Sequence, residues 1–329
     1  MAYMLLIVSL AIILLSAEVF TNGIEWLGNK LNLSEGAVGS LLAAVGTALP
    51  ETMIPVIAIL FGAGDMADEV GIGAILGAPF MLSTLALAIT GMAGMIWKVN
   101  GKRRQTMFID RPTMNRDLSF FLLVYTVAVL AGIIPDGAKR YVAIFLVVAY
   151  GYYVAKTLGC EAGEGCEALK PLHISKKNPD PGIGLITFQI IIALTGIVIG
   201  AHLFVQEIEL IAARWGVPAF ILSVIIAPIA TELPEKFNSV IWVRQGKDTL
   251  ALGNITGAMV FQSSVIPALG LLLTPWHLSK LGIICAALAL TAAGTVFILL
   301  RLRGEIRPIT LAFNSVFYLI FVGAVMVLY

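Results

Sequence analysis

The chain has 329 residues, of which 59% are apolar and only 12% charged, and its mean hydropathy is +0.96. A water-soluble globule is excluded, because such proteins carry about a quarter charged residues; at about 20 apolar residues per crossing, the composition fills on the order of ten membrane helices. A net charge of +1 and three cysteines point neither to a nucleic-acid partner nor to a disulfide scaffold.

Apolar runs between polar or Gly/Pro-rich breaks predict ten segments, at 2–22, 34–60, 70–96, 118–135, 138–158, 182–206, 217–243, 249–274, 278–300 and 308–328. The first ends in Ser16-Ala17-Glu18, which resembles a secretory cleavage site, yet no basic residue precedes it, so a retained first helix is expected. Between the second and third, Gly62-Ala63-Gly64-Asp65 is similar to the Gly-x-Gly-Asp of intramembrane aspartyl proteases; it has no partner aspartate and reads as a turn.

Orientation follows from Lys and Arg, which cytoplasmic loops retain in excess. Loops after segments 1, 3, 5, 7 and 9, counted with the segment ends that adjoin them, hold 16 basic residues, against 4 at the other loops and both termini, with Lys236 left inside a segment. The odd-numbered loops are therefore placed in the cytoplasm and both termini outside. The longest break, 159–181, divides the chain into a first five-helix unit (1–158) and a second (182–329). Its Cys160, Glu161, Glu164, Cys166, Glu167 and His173 match no zinc spacing, and a solvated cytoplasmic linker is expected.

The two units repeat each other. Thr47-Ala48-Leu49-Pro50-Glu51 answers Thr231-Glu232-Leu233-Pro234-Glu235 at an offset of 184, and Gly73-Ala74-Ile75-Leu76-Gly77 answers Gly253-Asn254-Ile255-Thr256-Gly257 at an offset of 180. Five crossings separate the copies, so the second enters from the opposite side. The expected fold is an all-α membrane protein of ten transmembrane helices arranged as two inverted five-helix repeats.

Charges in mid-segment mark a functional site by default, because each costs at least about 2.5 kcal/mol to place in the bilayer centre. Segment 2 carries Glu51, and segment 7 carries Glu232, Glu235 and Lys236. Pro50 and Pro234 remove the donors that would satisfy the carbonyls of Gly46 and Ala230, and they are expected to break their helices. Free carbonyls, the hydroxyls of Thr47 and Thr231 and the carboxylates of Glu51 and Glu235 are hard oxygen ligands suited to Ca²⁺, Mg²⁺ or Na⁺. Glu232 and Lys236 are spaced for an i, i+4 ion pair, which leaves Glu51 and Glu235 to hold one divalent cation or two protons. The alternative is that Lys236 fills the site and seals it. Asn254 and Gln262 offer uncharged oxygens that can coordinate an ion or bond a glutamate. Segments 3 and 8 also carry Ser83, Thr84, Ser263 and Ser264, while Glu18 and His202 sit on segments 1 and 6.

The paired Thr-x-Leu-Pro-Glu units, each followed by a Gly-x-x-x-Gly segment, resemble the two alpha-repeats of the cation/calcium antiporter superfamily, which includes sodium/calcium exchangers. The resemblance implies that Glu51 and Glu235 bind calcium, that Thr47 and Thr231 stand beside them, and that the first and sixth helices slide to alternate access. It also implies polar residues that this chain replaces. Ala48 and Glu232 stand where the family has serine, Ala74, Ala78, Pro79, Ala258 and Met259 stand where it has Asn or Ser, and the further polar position reads Leu82 and Gln262. Most sodium ligands are therefore missing, and a carboxylate in low dielectric can carry a proton once the metal leaves. The expected function is secondary-active antiport of Ca²⁺ or a related divalent cation, with Na⁺ or H⁺ as counter-ion and protons favoured over Na⁺ by the missing sodium ligands. The alternative is an exchanger fold with another substrate or a site sealed by Lys236. No catalytic motif lies in the segments, so neither an enzyme nor a cofactor beyond the transported ion is expected. The partners expected are inorganic cations and the lipid bilayer of a prokaryotic plasma membrane.

Overall fold

The structure is a computed structural model that describes residues 2–30, 43–62, 64–98, 104–158, 170–176 and 178–328. Within these, the side chains of residues 2, 43–50, 65, 158, 230 and 233–238 are outside the description. The described regular structure is helical: α1 (Ala2–Lys30), α2 (Ala43–Phe61), α3 (Asp65–Met81), a π-helical turn (Leu82–Ala86), α4 (Leu87–Ile96), α5 (Arg111–Leu130) and α6 (Asp136–Leu158). The second half holds α7 (Ile183–Trp215), α8 (Ala219–Arg244), α9 (Asp248–Leu273), α10 (Lys280–Arg303), α11 (Pro308–Phe313) and α12 (Ser315–Leu328).

Seven stretches among the described residues are long and apolar enough to cross a membrane: 3–30, 66–96, 111–133, 183–215, 248–273, 280–303 and 308–328. The crossings expected at 34–60, 138–158 and 217–243 overlap α2, α6 and α8, with residues 34–42 outside the described residues. Of these, Glu51–Phe61 and Ala219–Ile229 are shorter apolar helices.

Local chemistry sets several boundaries. Asp110 caps α5 by accepting from the Thr113 amide at 3.1 Å, and Ser279 caps α10 by accepting from the Gly282 amide at 3.1 Å. Gly216, at φ 67°, ends α7 in the left-handed conformation, and Pro218 follows it. The turn expected at 62–65 lies between α2 and α3, with Gly64 at φ 76°; Ala63 is outside the described residues.

Two helices run well beyond their expected ends: α1 reaches Lys30 rather than residue 22, and α7 reaches Trp215 rather than residue 206. At 1.5 Å per residue both exceed the roughly 30 Å hydrocarbon core, so their polar tails continue the helix past the apolar run that marks them in sequence. They pack against each other as an antiparallel pair. Gly23 lies against Ile190, Gly196 against Ser16 and Gly200 against the Ile13 backbone.

The linker is not solvated throughout. Residues 170–175 dock on the adjoining ends of this pair, the C-terminal part of α1 and the N-terminal part of α7: Leu172 is fully buried with Trp26 and Ile186, and the Trp26 indole donates to the Lys170 carbonyl at 2.9 Å. Asn22 accepts from the His173 amide at 3.2 Å, while Gln189 accepts from the Ile174 amide at 3.0 Å and donates to Asn22 at 3.0 Å. These backbone groups find partners on α1 and α7, which is why a polar stretch lies down on the bundle instead of staying in water. Cys160, Glu161, Glu164, Cys166 and Glu167 are outside the described residues.

The main core lies among α3, α5, α6, α9 and α10, with Phe80, Phe121, Tyr125 and Trp276 among its largest buried side chains. A smaller core joins α1, α2, α7 and the first half of α8.

Candidate functional site

Four helices carry the repeated motifs: α2, α3, α8 and α9. Each of α2 and α9 touches the other three, and α3 and α8 also pack together. The structure corrects the expected helix breaks. Helix α2 is unbroken through Pro50, and α8 is unbroken through Pro234 and through Pro228 before it. Each proline still withholds one donor, but a non-helical segment in hydrocarbon would leave several backbone groups unsatisfied, so the helix persists around the single missing bond.

On these helices Glu51 is 8% exposed and Glu232 is 1% exposed. Two carboxylates are thus buried within α2 and α8, which contact each other and α9. The side chains of Thr47, Pro50, Pro234, Glu235 and Lys236 lie outside the described residues, as do the proposed Glu51–Glu235 pairing and the Glu232–Lys236 ion pair. Thr231 is buried, and its hydroxyl donates to the Ala227 carbonyl at 2.9 Å. That bond engages its proton and leaves oxygen lone pairs able to accept or to coordinate.

Helix α9 supplies the amides. Asn254 is half-buried. Gln262 is 3% exposed, and its carbonyl oxygen accepts no hydrogen bond among the described residues. A buried acceptor without a donor is uncommon and marks a place where a cation or proton can be received. The neighbouring hydroxyls are already engaged: Ser263 and Ser264 bond the Val260 carbonyl at 3.2 and 2.6 Å, and Ser83 and Thr84 bond the Phe80 carbonyl at 3.1 and 2.5 Å.

The glycines of the two copies behave differently. A Cβ built on Gly73 meets the Phe220 carbonyl at 2.9 Å, and one on Gly77 meets the Val224 carbonyl at 2.7 Å and Pro228 at 2.9 Å. The Val224 carbonyl is the one that Pro228 deprives of its helical donor, so α3 approaches α8 closely where the ladder is interrupted. Cβ atoms built on Gly253 and Gly257 meet nothing within 4 Å among the described residues. In the first copy α3 also changes pitch at Leu82–Ala86, where Asn314 donates to the freed Ser83 carbonyl at 2.8 Å.

Two buried carboxylates fall outside the sequence-based set. Glu207 on α7 is 6% exposed, and one of its oxygens accepts nothing among the described residues; Asp117 on α5 is 1% exposed. Both sit just beyond the segment ends drawn from hydropathy, residue 206 and residue 118, and so read as loop charges. The signal that finds them is helix continuation: Asp110-Arg111-Pro112 is a cap followed by an early proline, and only Gly216 ends α7. Of the outlying polar positions, Glu18 is exposed and 4.0 Å from His173, and His202 is bonded to Gln206 at 3.0 Å.

Helices long and apolar enough to cross a membrane, with buried acids where four helices meet, define a helical membrane protein with a polar interior site. The chain belongs to the sodium/calcium exchanger protein family, whose pattern matches residues 1–158 and 185–328. It is 25% identical over 332 residues to the putative antiporter CaxA of Alkalimonas amylolytica, covering 98% of this chain and 97% of that one. It is 24% identical to the inner membrane protein YrbG of Escherichia coli, over 94% of this chain and 91% of that one. Among solved structures, the H⁺/Ca²⁺ exchanger CAX superposes with a TM-score of 0.76 at 16% identity, covering 100% of this chain and 82% of that one. The sodium-calcium exchanger NCX_Mj superposes at 0.60 with 19% identity, covering 98% of each chain. At these identities the superpositions establish a shared fold.

Proposed function

We propose that this chain is a secondary-active antiporter that moves Ca²⁺ or a related divalent cation, with Glu51 and Glu235 as the exchanging ligands and protons as counter-ion. The observation that carries this reading is the set of buried oxygens on contacting helices: the Glu51 and Glu232 carboxylates, the Thr231 hydroxyl and the Gln262 carbonyl, which lacks a donor among the described residues. Hard oxygens in low dielectric favour a hard cation. The proton fits the residues better than sodium does, because Ala74, Ala78, Leu82 and Ala258 provide no side-chain oxygen at the places where a second ion would need one. The architecture proposed with it is ten crossings in two inverted repeats, both termini outside, in a prokaryotic plasma membrane. The excess of basic residues in the odd-numbered loops and the likeness to YrbG, an inner membrane protein, support it.

The test is ⁴⁵Ca²⁺ uptake into proteoliposomes under imposed proton or sodium gradients, with melting temperature followed against each cation. A ligand bound only by the native state stabilises it by about 2.7 kcal/mol at a concentration 100-fold above Kd. Flux driven by protons, with cation-dependent stabilisation abolished in Glu51→Gln and Glu235→Gln, is the expected result. Indifference to every cation, with stabilisation acquired by Lys236→Ala, identifies instead a site sealed by the lysine.

A further inference from the structure

Asp117 is buried in the spanning helix α5 and gathers three donors from three directions. The Thr256 hydroxyl of α9 donates to Oδ2 at 2.8 Å, the Tyr153 phenol of α6 donates to Oδ1 at 3.0 Å, and Arg116 pairs with Oδ1 at 3.1 Å. Charge-assisted bonds of this kind are about twice as strong as neutral ones and are directional. Thr256 belongs to the second Gly-x-x-x-Gly unit, two residues beyond Asn254, and the two side chains leave the helix about 160° apart. Whatever holds Thr256 against α5 and α6 therefore turns Asn254 to the opposite flank of α9.

The corresponding place in the first repeat is held by other means. Leu76, 180 residues before Thr256, is tied through its carbonyl to the Tyr125 phenol at 3.4 Å and the Cys285 thiol at 3.8 Å. The close backbone approach of Gly73 and Gly77 to α8 fixes the rotation of α3. Gly253 and Gly257 have no such contact among the described residues, and on α9 the hydrogen bond from Thr256 to Asp117 is the tie to a neighbouring helix at this level.

We propose that Asp117 is a positioning residue for the cation site: by accepting from Thr256 it sets the rotation of α9 that presents Asn254 to the junction with α2 and α8. This rests on the cation-antiport reading above, and the test separates the two. Half-saturating Ca²⁺ and maximal rate are measured in proteoliposomes for wild type, Thr256→Ser, Thr256→Val and Asp117→Asn, with the cation-free melting temperature of each. Thr256→Ser, which keeps the hydroxyl, is expected to match wild type. Thr256→Val is expected to raise half-saturating Ca²⁺ about tenfold with maximal rate within about twofold, and Asp117→Asn to move the same way where it folds. Unchanged half-saturation in Thr256→Val, or a fall in rate alone, overturns the proposal. Wild-type protein without cation-dependent flux overturns the antiport reading instead. The rotation is then read from the rate at which a water-soluble thiol reagent labels Asn254→Cys, with Cys160, Cys166 and Cys285 replaced by alanine. A severalfold change on adding Thr256→Val, absent with Thr256→Ser, supports the role of Asp117; equal rates overturn it.

Discussion

Gln262 places an amide in the bilayer interior where its carbonyl oxygen accepts nothing from the described residues. Burying a polar group without a partner costs about 1–3 kcal/mol, whereas replacing it with an apolar group of similar size is close to neutral. Gln262→Leu is therefore expected to leave cation-free melting unchanged or slightly higher, while cation-dependent stabilisation falls by at least half. Thermal unfolding in detergent, with and without Ca²⁺, measures both. Thr231→Val probes the neighbouring oxygen. It removes the bond to Ala227 together with the lone pairs, so cation affinity is expected to drop while the helix, which does not depend on that bond, stays folded. At this scale the reading of Glu51, Glu232 and Gln262 as interior polar groups came from their places in apolar runs. Their partners could not be read that way, because spacing along one helix says nothing about which neighbour it meets.

At the scale of elements, the copies of Gly-x-x-x-Gly look equivalent in sequence and differ in their packing among the described residues. Gly77→Ala drives a Cβ toward the Val224 carbonyl at 2.7 Å and the Pro228 ring at 2.9 Å, a backbone oxygen and a ring closed onto the backbone, neither of which can step aside. Overpacking of this kind costs about 1–3 kcal/mol. Gly257→Ala meets nothing within 4 Å among the described residues and is expected to be neutral or stabilising by up to about 1 kcal/mol from helix propensity. Opposite signs in the two melting shifts are the expected outcome. Hydropathy located the helices but cut α1, α5 and α7 short, because each extends into polar sequence that a window of apolar residues rejects. Asp117 and Glu207 were lost to that trimming. Proline was over-read in the other direction: in lipid the cost of abandoning the helix exceeds the cost of one missing bond, so α2 and α8 remain continuous.

Across the whole molecule, the segment at 104–110 between α4 and α5 ties distant elements together. Arg104 pairs with Asp248 at the start of α9 and donates to the Val243 carbonyl near the end of α8, and both side chains are buried. The Phe108 amide donates to the same Asp248 at 3.0 Å, and the Met107 amide bonds the Ile306 carbonyl at 2.8 Å, joining the α10–α11 turn. Arg104→Ala leaves Asp248 buried without its counter-charge and is expected to destabilise by about 3–5 kcal/mol, with the double variant Arg104→Met, Asp248→Leu recovering much of the loss. Unfolding midpoints of the three variants decide it. Topology is tested at the same scale: a reporter fused after Tyr329 is expected to be active only outside the cytoplasm, as the distribution of basic residues requires.

The amino-acid sequence by itself determined that the chain lives in a bilayer, where its helices lie to within several residues, and that one threonine and one glutamate, Thr47 and Glu51 against Thr231 and Glu235, are duplicated between its halves. Those properties follow from local transfer free energy and from comparing the chain with itself. Only the tertiary structure decided that Gly73 and Gly77 are clamped against the α8 backbone, that residues 170–175 lie on α1 and α7, and that Asp117 grips Thr256. Each depends on groups far apart in sequence meeting in space, and hydropathy, being the same for any arrangement of the helices, carries no record of that meeting.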